Sequence, residues 1–218
     1  FFKIFTQQGM RSKNFVQQTF FAYLMVGIML GFTTISYYFF VQHCGWWCPA
    51  NILADPNILT HYAPWFTPFF KALQAGFTEE MLFRVLPLAG LMVAGKYFKK
   101  ERLFLLIAMI IQAILFAGAH VNYPQMPAYF RLIELLPISL FFGGIYLRFG
   151  LYPAVLIHTL YDLILMSTCI FASHAIHTIM QQILLIGIII LPLLICAYLY
   201  CRSKLQEAAA SMYNRAWQ

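Results

Sequence analysis

The chain has 218 residues, of which 62% are hydrophobic and 10% are charged, and this composition excludes an ordinary soluble globular domain. The formal net charge of +7 is no sign of nucleic-acid binding, because in a membrane protein the positions of Lys and Arg matter more than their sum. Uninterrupted apolar runs of about 20 residues predict membrane-spanning helices rather than the alternating strands of a barrel.

The sequence therefore predicts an all-α, polytopic membrane protein, a bundle of about six transmembrane helices with a polar site inside the bundle. A single integral membrane domain covers residues 1–218. In chain order the predicted spans are 17–41, 68–95, 103–121, 128–148, 152–172 and 176–201. Pro87, Pro137 and Pro192 fall within these spans and predict kinks, because proline lacks the N–H of a helical hydrogen bond.

Two features of the first span and the following loop have structural explanations. Gly27 and Gly31 form a small-xxx-small pair that predicts close helix packing. Cys44 and Cys48 lie in the loop 42–66 and could form a redox pair, a metal pair or a disulfide. The neighbouring tryptophans favour instead an aromatic segment at the level of the lipid headgroups.

Basic residues alternate between successive loops and thereby predict the orientation. They precede the first span, recur in 96–102 and at Arg148, and return in the C-terminal tail, whereas the loop 42–66 has none. By the positive-inside rule both termini are cytosolic. We expect a multi-pass protein of a bacterial cytoplasmic (inner) membrane.

Ionisable residues at membrane depth are costly, and here they cluster on three spans. They are Glu79, Glu80, Arg84, His120, His158 and Asp162, whereas Arg131, Glu134 and Arg148 lie nearer the predicted span ends.

Helical spacing suggests a role for each of these residues. Glu80 and Arg84 are four residues apart and can form an ion pair, whereas Glu79 is rotated by about 100° and remains available for chemistry. His158 and Asp162 are also four residues apart, so Asp162 could orient the His158 ring or bind a substrate. Each feature alone is more often structural than functional, but their joint occurrence favours a shared site.

Three ordered motifs carry a resemblance to a known family. They read Glu79-Glu80-Met-Leu-Phe-Arg84, Phe116-Ala-Gly-Ala-His120 and His158-Thr-Leu-Tyr-Asp162. The sequence thereby resembles the CAAX-protease and bacteriocin-processing family (CPBP, or Abi), which includes the Ras-converting prenyl-protein endopeptidase. The family-like core covers about residues 68–172.

The resemblance implies a glutamic-type, metal-independent intramembrane endopeptidase without a cofactor. Glu79 and His120 would activate a water, and His158 with Asp162 would bind the scissile carbonyl and its oxyanion. In the supporting roles, Glu80 and Arg84 would brace the helix and Phe116 would pack beside the site. The substrate would be a membrane-embedded or membrane-anchored protein.

Two positions depart from the family pattern. Asp162 stands where the prenyl-protein proteases carry Asn, and an ionised Asp cannot donate to an oxyanion, so it must be protonated or must orient His158. Val85 stands where Gly is frequent, which affects packing only.

Two other functions remain open. The same Glu and His residues could ligate zinc, although the sequence has no His-Glu-x-x-His motif. A non-catalytic protein, either a bacteriocin self-immunity factor or an ion-coupled carrier, could also use a buried Glu/His network.

The depth of the site poses a geometric problem. His120 is about 27 Å along its helix from Arg102, whereas His158 is about 8 Å from Pro153, and both spans run outward. If both helices began at the same depth, the two imidazoles could not meet. We therefore expect a deep start of the third span, a tilt, or a turn at 149–153 that is sunk into the membrane.

Overall fold

The computed structural model describes residues 13–45, 57, 59, 61–121 and 129–216, and within these ranges it contains helices and no strand. One long helical rod carries a π-helical segment. It consists of α2 (Phe66–Glu80), the π-helical segment (Met81–Ala89) and α3 (Gly90–Tyr97). The other helices are α1 (Lys13–His43), α4 (Glu101–Ala119), α5 (Tyr129–Phe149), α6 (Leu151–Met166), α7 (Thr168–Ala172) and α8 (Ile176–Ala216).

Among the described residues, five helical stretches are long and apolar enough to cross a membrane, so the predicted all-α, multi-pass membrane fold is confirmed. They are Phe20–His43, Glu101–Ala119, Tyr129–Phe149, Leu151–Ala172 and Ile176–Gln206. The predicted span 68–95 corresponds to the rod formed by α2, the π-helical segment and α3. This rod is not one of the five stretches, and it contains five charged residues: Lys71, Glu79, Glu80, Arg84 and Lys96.

Two of the predicted spans differ from the observed helices by more than a shift of up to four residues at an end. The span predicted to end at residue 201 continues as α8 to Ala216. The span predicted over 152–172 is divided at Ser167, whose hydroxyl donates to the Leu163 carbonyl at 2.6 Å. Such a bond to the preceding turn competes with the helical hydrogen bonds.

The three prolines expected to kink their spans lie inside helices that continue past them. Pro87 falls in the π-helical segment, so the disturbance expected there takes the form of a widened helix. Pro137 and Pro192 lie inside α5 and α8.

Helix α6 is the centre of the bundle. It packs against α1, α2 and α5. The apolar stretch that it forms with α7 is 61% buried, compared with at most 33% in the other four spans. A Cβ added at Gly27 would lie 2.9 Å from the Leu160 Cβ, and one at Gly31 would lie 3.0 Å from the Ile164 Cβ. The close packing predicted for the glycine pair is therefore confirmed, and its partner is α6.

A buried polar cluster ties α5 to α1. The Tyr38 hydroxyl donates to the Glu134 carboxylate, and Arg131 Nη1 lies 3.2 Å from the Tyr38 oxygen and 3.3 Å from Glu134 Oε1. Arg131 and Glu134, which the sequence places near a span end, are thus mutually paired and mostly buried.

The prediction for Cys48 falls outside the described residues. Cys44, at the end of α1, is an exposed free cysteine.

Candidate active site

The close approach of α2 to α6 depends on Gly76. A Cβ at this position would overlap the Thr159 hydroxyl and would lie 2.9 Å from the Thr159 backbone nitrogen. Glu80 lies one turn after Gly76, and Thr159 follows His158. The absence of a side chain at Gly76 therefore allows Glu80 to reach His158 on the neighbouring helix.

Glu80 is fully buried and is shared by two partners. Its Oε1 lies 3.4 Å from Arg84 Nη1 and 2.8 Å from His158 Nδ1. A carboxylate can only accept hydrogen bonds, so His158 Nδ1 carries the proton and donates it to Glu80. The imidazole is thereby fixed with Nε2 turned toward the other polar groups.

This contact differs from the roles that helical spacing suggests. The sequence gives Glu80 only an ion pair with Arg84 and makes Asp162 a candidate for orienting His158. In the structure Asp162 Oδ2 lies 3.5 Å from His158 Nε2, beyond a direct hydrogen bond, whereas Glu80 makes the short contact. The spacing of residues on one helix cannot reveal a partner on another.

Glu79 lies between the two histidines. Its Oε2 is 3.6 Å from His120 Nε2 and 3.7 Å from His158 Nε2. These separations exceed a direct N–H···O hydrogen bond and leave room for a bridging water. The Glu79 side chain is 22% exposed, whereas Glu80 is fully buried. The Glu79 Oε2 atom, which faces both imidazoles, is itself buried and accepts no hydrogen bond from the described residues.

His120 immediately follows the end of α4 and is held by its own helix. Its Nδ1 lies 2.7 Å from the Phe116 carbonyl, which can only accept, so Nδ1 donates. In the neutral ring Nε2 therefore carries no proton, and it is the ring nitrogen that faces Glu79. The Phe116 ring packs against the His120 ring, with centroids 4.6 Å apart, and lies 4.3 Å from the Arg84 guanidinium carbon.

Helix α5 contributes residues that the sequence analysis did not identify. The Phe142 ring stacks on the His158 ring with centroids 4.6 Å apart, and Ser139 Oγ lies 3.4 Å from Arg84 Nη2. Both belong to a buried stripe at helical spacing, Leu135, Ser139, Phe142 and Tyr146. The stripe is visible in the sequence, but nothing in it indicates which of its members reaches the charged residues.

A stagger between helices accounts for part of the depth problem. Ala154, in the first turn of α6, packs in one cluster with Ala108 of α4 and Leu88 of the π-helical segment. Ala108 lies seven residues, or about 10 Å, into α4, so α4 begins well before the level at which α6 begins. Gly150, with a φ of +95°, is the single residue between α5 and α6.

A metal site requires at least three side chains of the candidate site to direct ligand atoms at one point. Within residues 13–45, 57, 59, 61–121 and 129–216, no group of three or more His, Cys, Asp or Glu side chains could hold a metal ion. Two of the imidazole nitrogens also face acceptors, the Phe116 carbonyl and the Glu80 carboxylate.

The comparison with known families agrees with the motif analysis. Residues 61–164 match the family described as type II CAAX prenyl endopeptidase Rce1-like, and this range holds every residue of the candidate site. The resemblance to the CAAX-protease family is thereby confirmed. No curated protein and no solved structure matches the chain.

The buried Arg84–Glu80 pair generates a stability prediction. Arg84→Met leaves the Glu80 carboxylate buried without its guanidinium partner, and we expect a loss of about 3–5 kcal/mol in the free energy of unfolding. The double variant Arg84→Met/Glu80→Gln removes the unpaired charge and should recover much of that loss. Denaturant unfolding in detergent micelles measures both.

Arg148→Met is the matched control, because Arg148 is an exposed arginine on α5. Equal losses in the Arg84→Met and Arg148→Met variants would contradict the prediction.

Proposed function

Because residues 61–164 belong to the Rce1-like family of type II CAAX prenyl endopeptidases, we propose that this membrane protein hydrolyses a peptide bond in a membrane-embedded or lipid-anchored protein. One observation carries the proposed mechanism: Glu79 Oε2 lies 3.6 Å and 3.7 Å from the Nε2 atoms of His120 and His158. The three side chains come from different helical elements and leave space for one shared water.

Glu79 and His120 activate the water in this mechanism. A water oxygen about 2.8 Å from both Glu79 Oε2 and His120 Nε2 donates one hydrogen bond to each. Its oxygen attacks the scissile carbonyl carbon while Glu79 takes a proton. The same proton passes to the leaving amine nitrogen when the C–N bond breaks.

His158 stabilises the oxyanion. As an imidazolium, it donates Nδ1–H to Glu80 and Nε2–H to the developing negative charge. The contact to Glu80 at 2.8 Å supports this role, because it orients the ring and compensates its charge. Glu80 and Arg84 thus act through His158 and do not touch the substrate.

The proposed acid–base role predicts which substitutions abolish cleavage. Glu79→Gln and His120→Ala should each lower the rate about 100-fold or more while the protein stays folded, because neither variant can activate the water. A fluorogenic peptide with a farnesylated CAAX sequence measures the rate in micelles. A proteomic comparison of cells that make the native or the Glu79→Gln protein identifies the membrane protein that accumulates uncleaved.

Thr78→Ala is the control, because Thr78 precedes Glu79 on α2 but is exposed and donates only to the Gln74 carbonyl of its own helix. Full cleavage by Glu79→Gln would refute the proposed mechanism.

The charge balance of the site predicts the protonation state of Asp162. If Glu79 and Glu80 are ionised, Arg84 and an imidazolium at His158 neutralise them, and in the part of the chain that the structure describes no Lys or Arg forms an ion pair with Asp162. A protonated Asp162 then donates its O–H to the oxyanion, as an Asn amide would. Asp162→Asn should therefore retain activity within about tenfold, whereas Asp162→Ala should lose about 100-fold. Equal inactivity of the two variants in the peptide assay would contradict a donor role.

The same mechanism predicts resistance to metal removal. Cleavage should continue after dialysis against a strong chelator, because Glu79 and His120 supply the activation of water that zinc would otherwise provide. Elemental analysis of the purified protein should find less than one zinc per chain. Loss of activity on chelation, restored by added zinc, would favour the metallohydrolase alternative.

A further inference from the structure

Besides its contact with Glu80, Arg84 takes part in a series of buried hydrogen bonds that leads away from Glu80. Arg84 Nη2 lies 3.4 Å from Ser139 Oγ, and Ser139 Oγ lies 3.0 Å from Gln112 Oε1. All three residues are fully buried. They connect the π-helical segment to α5 and α4.

The chemistry of the three side chains fixes which group donates and which accepts in each of these hydrogen bonds. A guanidinium only donates, so the Ser139 oxygen accepts from Arg84 and its O–H must donate to Gln112 Oε1. The Gln112 amide nitrogen then points away from Ser139 Oγ. It donates to the backbone carbonyls of Met109 and Ser139, each at 3.2 Å.

Gly143 makes room for this arrangement. A Cβ at Gly143 would lie 3.0 Å from Gln112 Nε2 and equally near the Met109 sulfur. The amide can therefore reach the Ser139 carbonyl only because the next turn of α5 presents no side chain.

Arg84 needs this additional support because its contact with Glu80 is single and long. One Nη1···Oε1 distance of 3.4 Å does not fix a planar guanidinium, which forms its firmest pairs through two parallel hydrogen bonds. The Phe116 face restrains the plane of the group, and Ser139 restrains its second nitrogen.

We infer that Gln112 and Ser139 are positioning residues, which hold the Arg84 guanidinium and thereby keep Glu80 hydrogen-bonded to Nδ1 of His158. The geometric part of this inference concerns the His158 ring alone. Its consequence for catalysis rests on the proposed function.

The first experiment measures kcat and KM with the farnesylated CAAX peptide. Ser139→Ala removes one oxygen, and Gln112→Met removes the amide at similar volume. Each should lower kcat about tenfold with KM within about twofold, because His158 is misaligned for the transition state while substrate binding is unchanged. The kcat of the double variant should be little lower than that of the less active single variant, because both substitutions interrupt the same series of hydrogen bonds.

Matched controls exist elsewhere in the bundle. Ser167→Ala also removes a fully buried hydroxyl, which donates only to the Leu163 carbonyl of its own helix. Gln182→Met also removes an amide that donates to two backbone carbonyls, those of Ile170 and Ser173. Both controls should retain the native kcat. Equal losses in controls and test variants would indicate a general packing defect and would overturn the inference.

The second experiment does not depend on proteolysis. Nitrogen NMR of isotope-labelled histidine in micelles, with His158 assigned by its absence in His158→Gln, reports whether Nδ1 keeps its proton and its hydrogen bond. We expect this signal to shift or broaden in Ser139→Ala and Gln112→Met and to stay native in both controls. An unchanged signal in both test variants would overturn the inference even if kcat fell.

The two experiments separate the two proposals. If the native protein cleaved neither the peptide nor a cellular membrane protein, the proposed function would fail. The His158 signal would still decide whether Gln112 and Ser139 position the ring.

Discussion

A buried carboxylate with two partners is the interaction on which the site depends. Glu80 is removed from solvent, and an isolated charge in that environment would be prohibitively costly, so it must be paired. Arg84 on the same rod and His158 on α6 supply that pairing. The requirement to satisfy one charge therefore joins two helices, and the same contact fixes which His158 nitrogen faces Glu79 and Asp162. Glu79 is left partly exposed beside the two imidazoles.

The rod that carries both glutamates also changes its helical geometry at this point. The π-helical segment begins directly after Glu80 and contains Arg84 and Pro87. Widened turns of this kind are uncommon and often occur at functional sites. Here Arg84 and Leu88 are buried toward the bundle while Leu82 and Leu86 are exposed on the surface. One helical element thus presents a charged face to the site and an exposed apolar face to the surroundings.

Small residues allow the helices to approach closely enough for these contacts. Gly76 brings α2 against α6, Gly27 and Gly31 bring α1 against the same helix, and Gly143 admits Gln112 to α5. In a bilayer, helix association relies on such packing and on buried hydrogen bonds, because lipid is as apolar as the side chains it replaces. The polar chain from Gln112 through Ser139, Arg84 and Glu80 to His158 is therefore both the support of the site and part of the cohesion of the bundle.

The sequence by itself determined the membrane class, the helical architecture and the small set of ionisable residues at membrane depth. Hydrophobic runs, and charged residues within them, are properties of single segments. It also yielded the Glu80–Arg84 pair, since residues four apart meet on any helix. Only the tertiary structure decided that Glu80 rather than Asp162 makes the short contact to His158. It alone identified Phe142, Ser139 and Gln112, because an isolated Ser or Gln in an apolar span acquires a role only through residues on other helices. The meeting of His120 and His158 was likewise a tertiary outcome, since helix stagger and inclination are set by packing between segments distant in the chain.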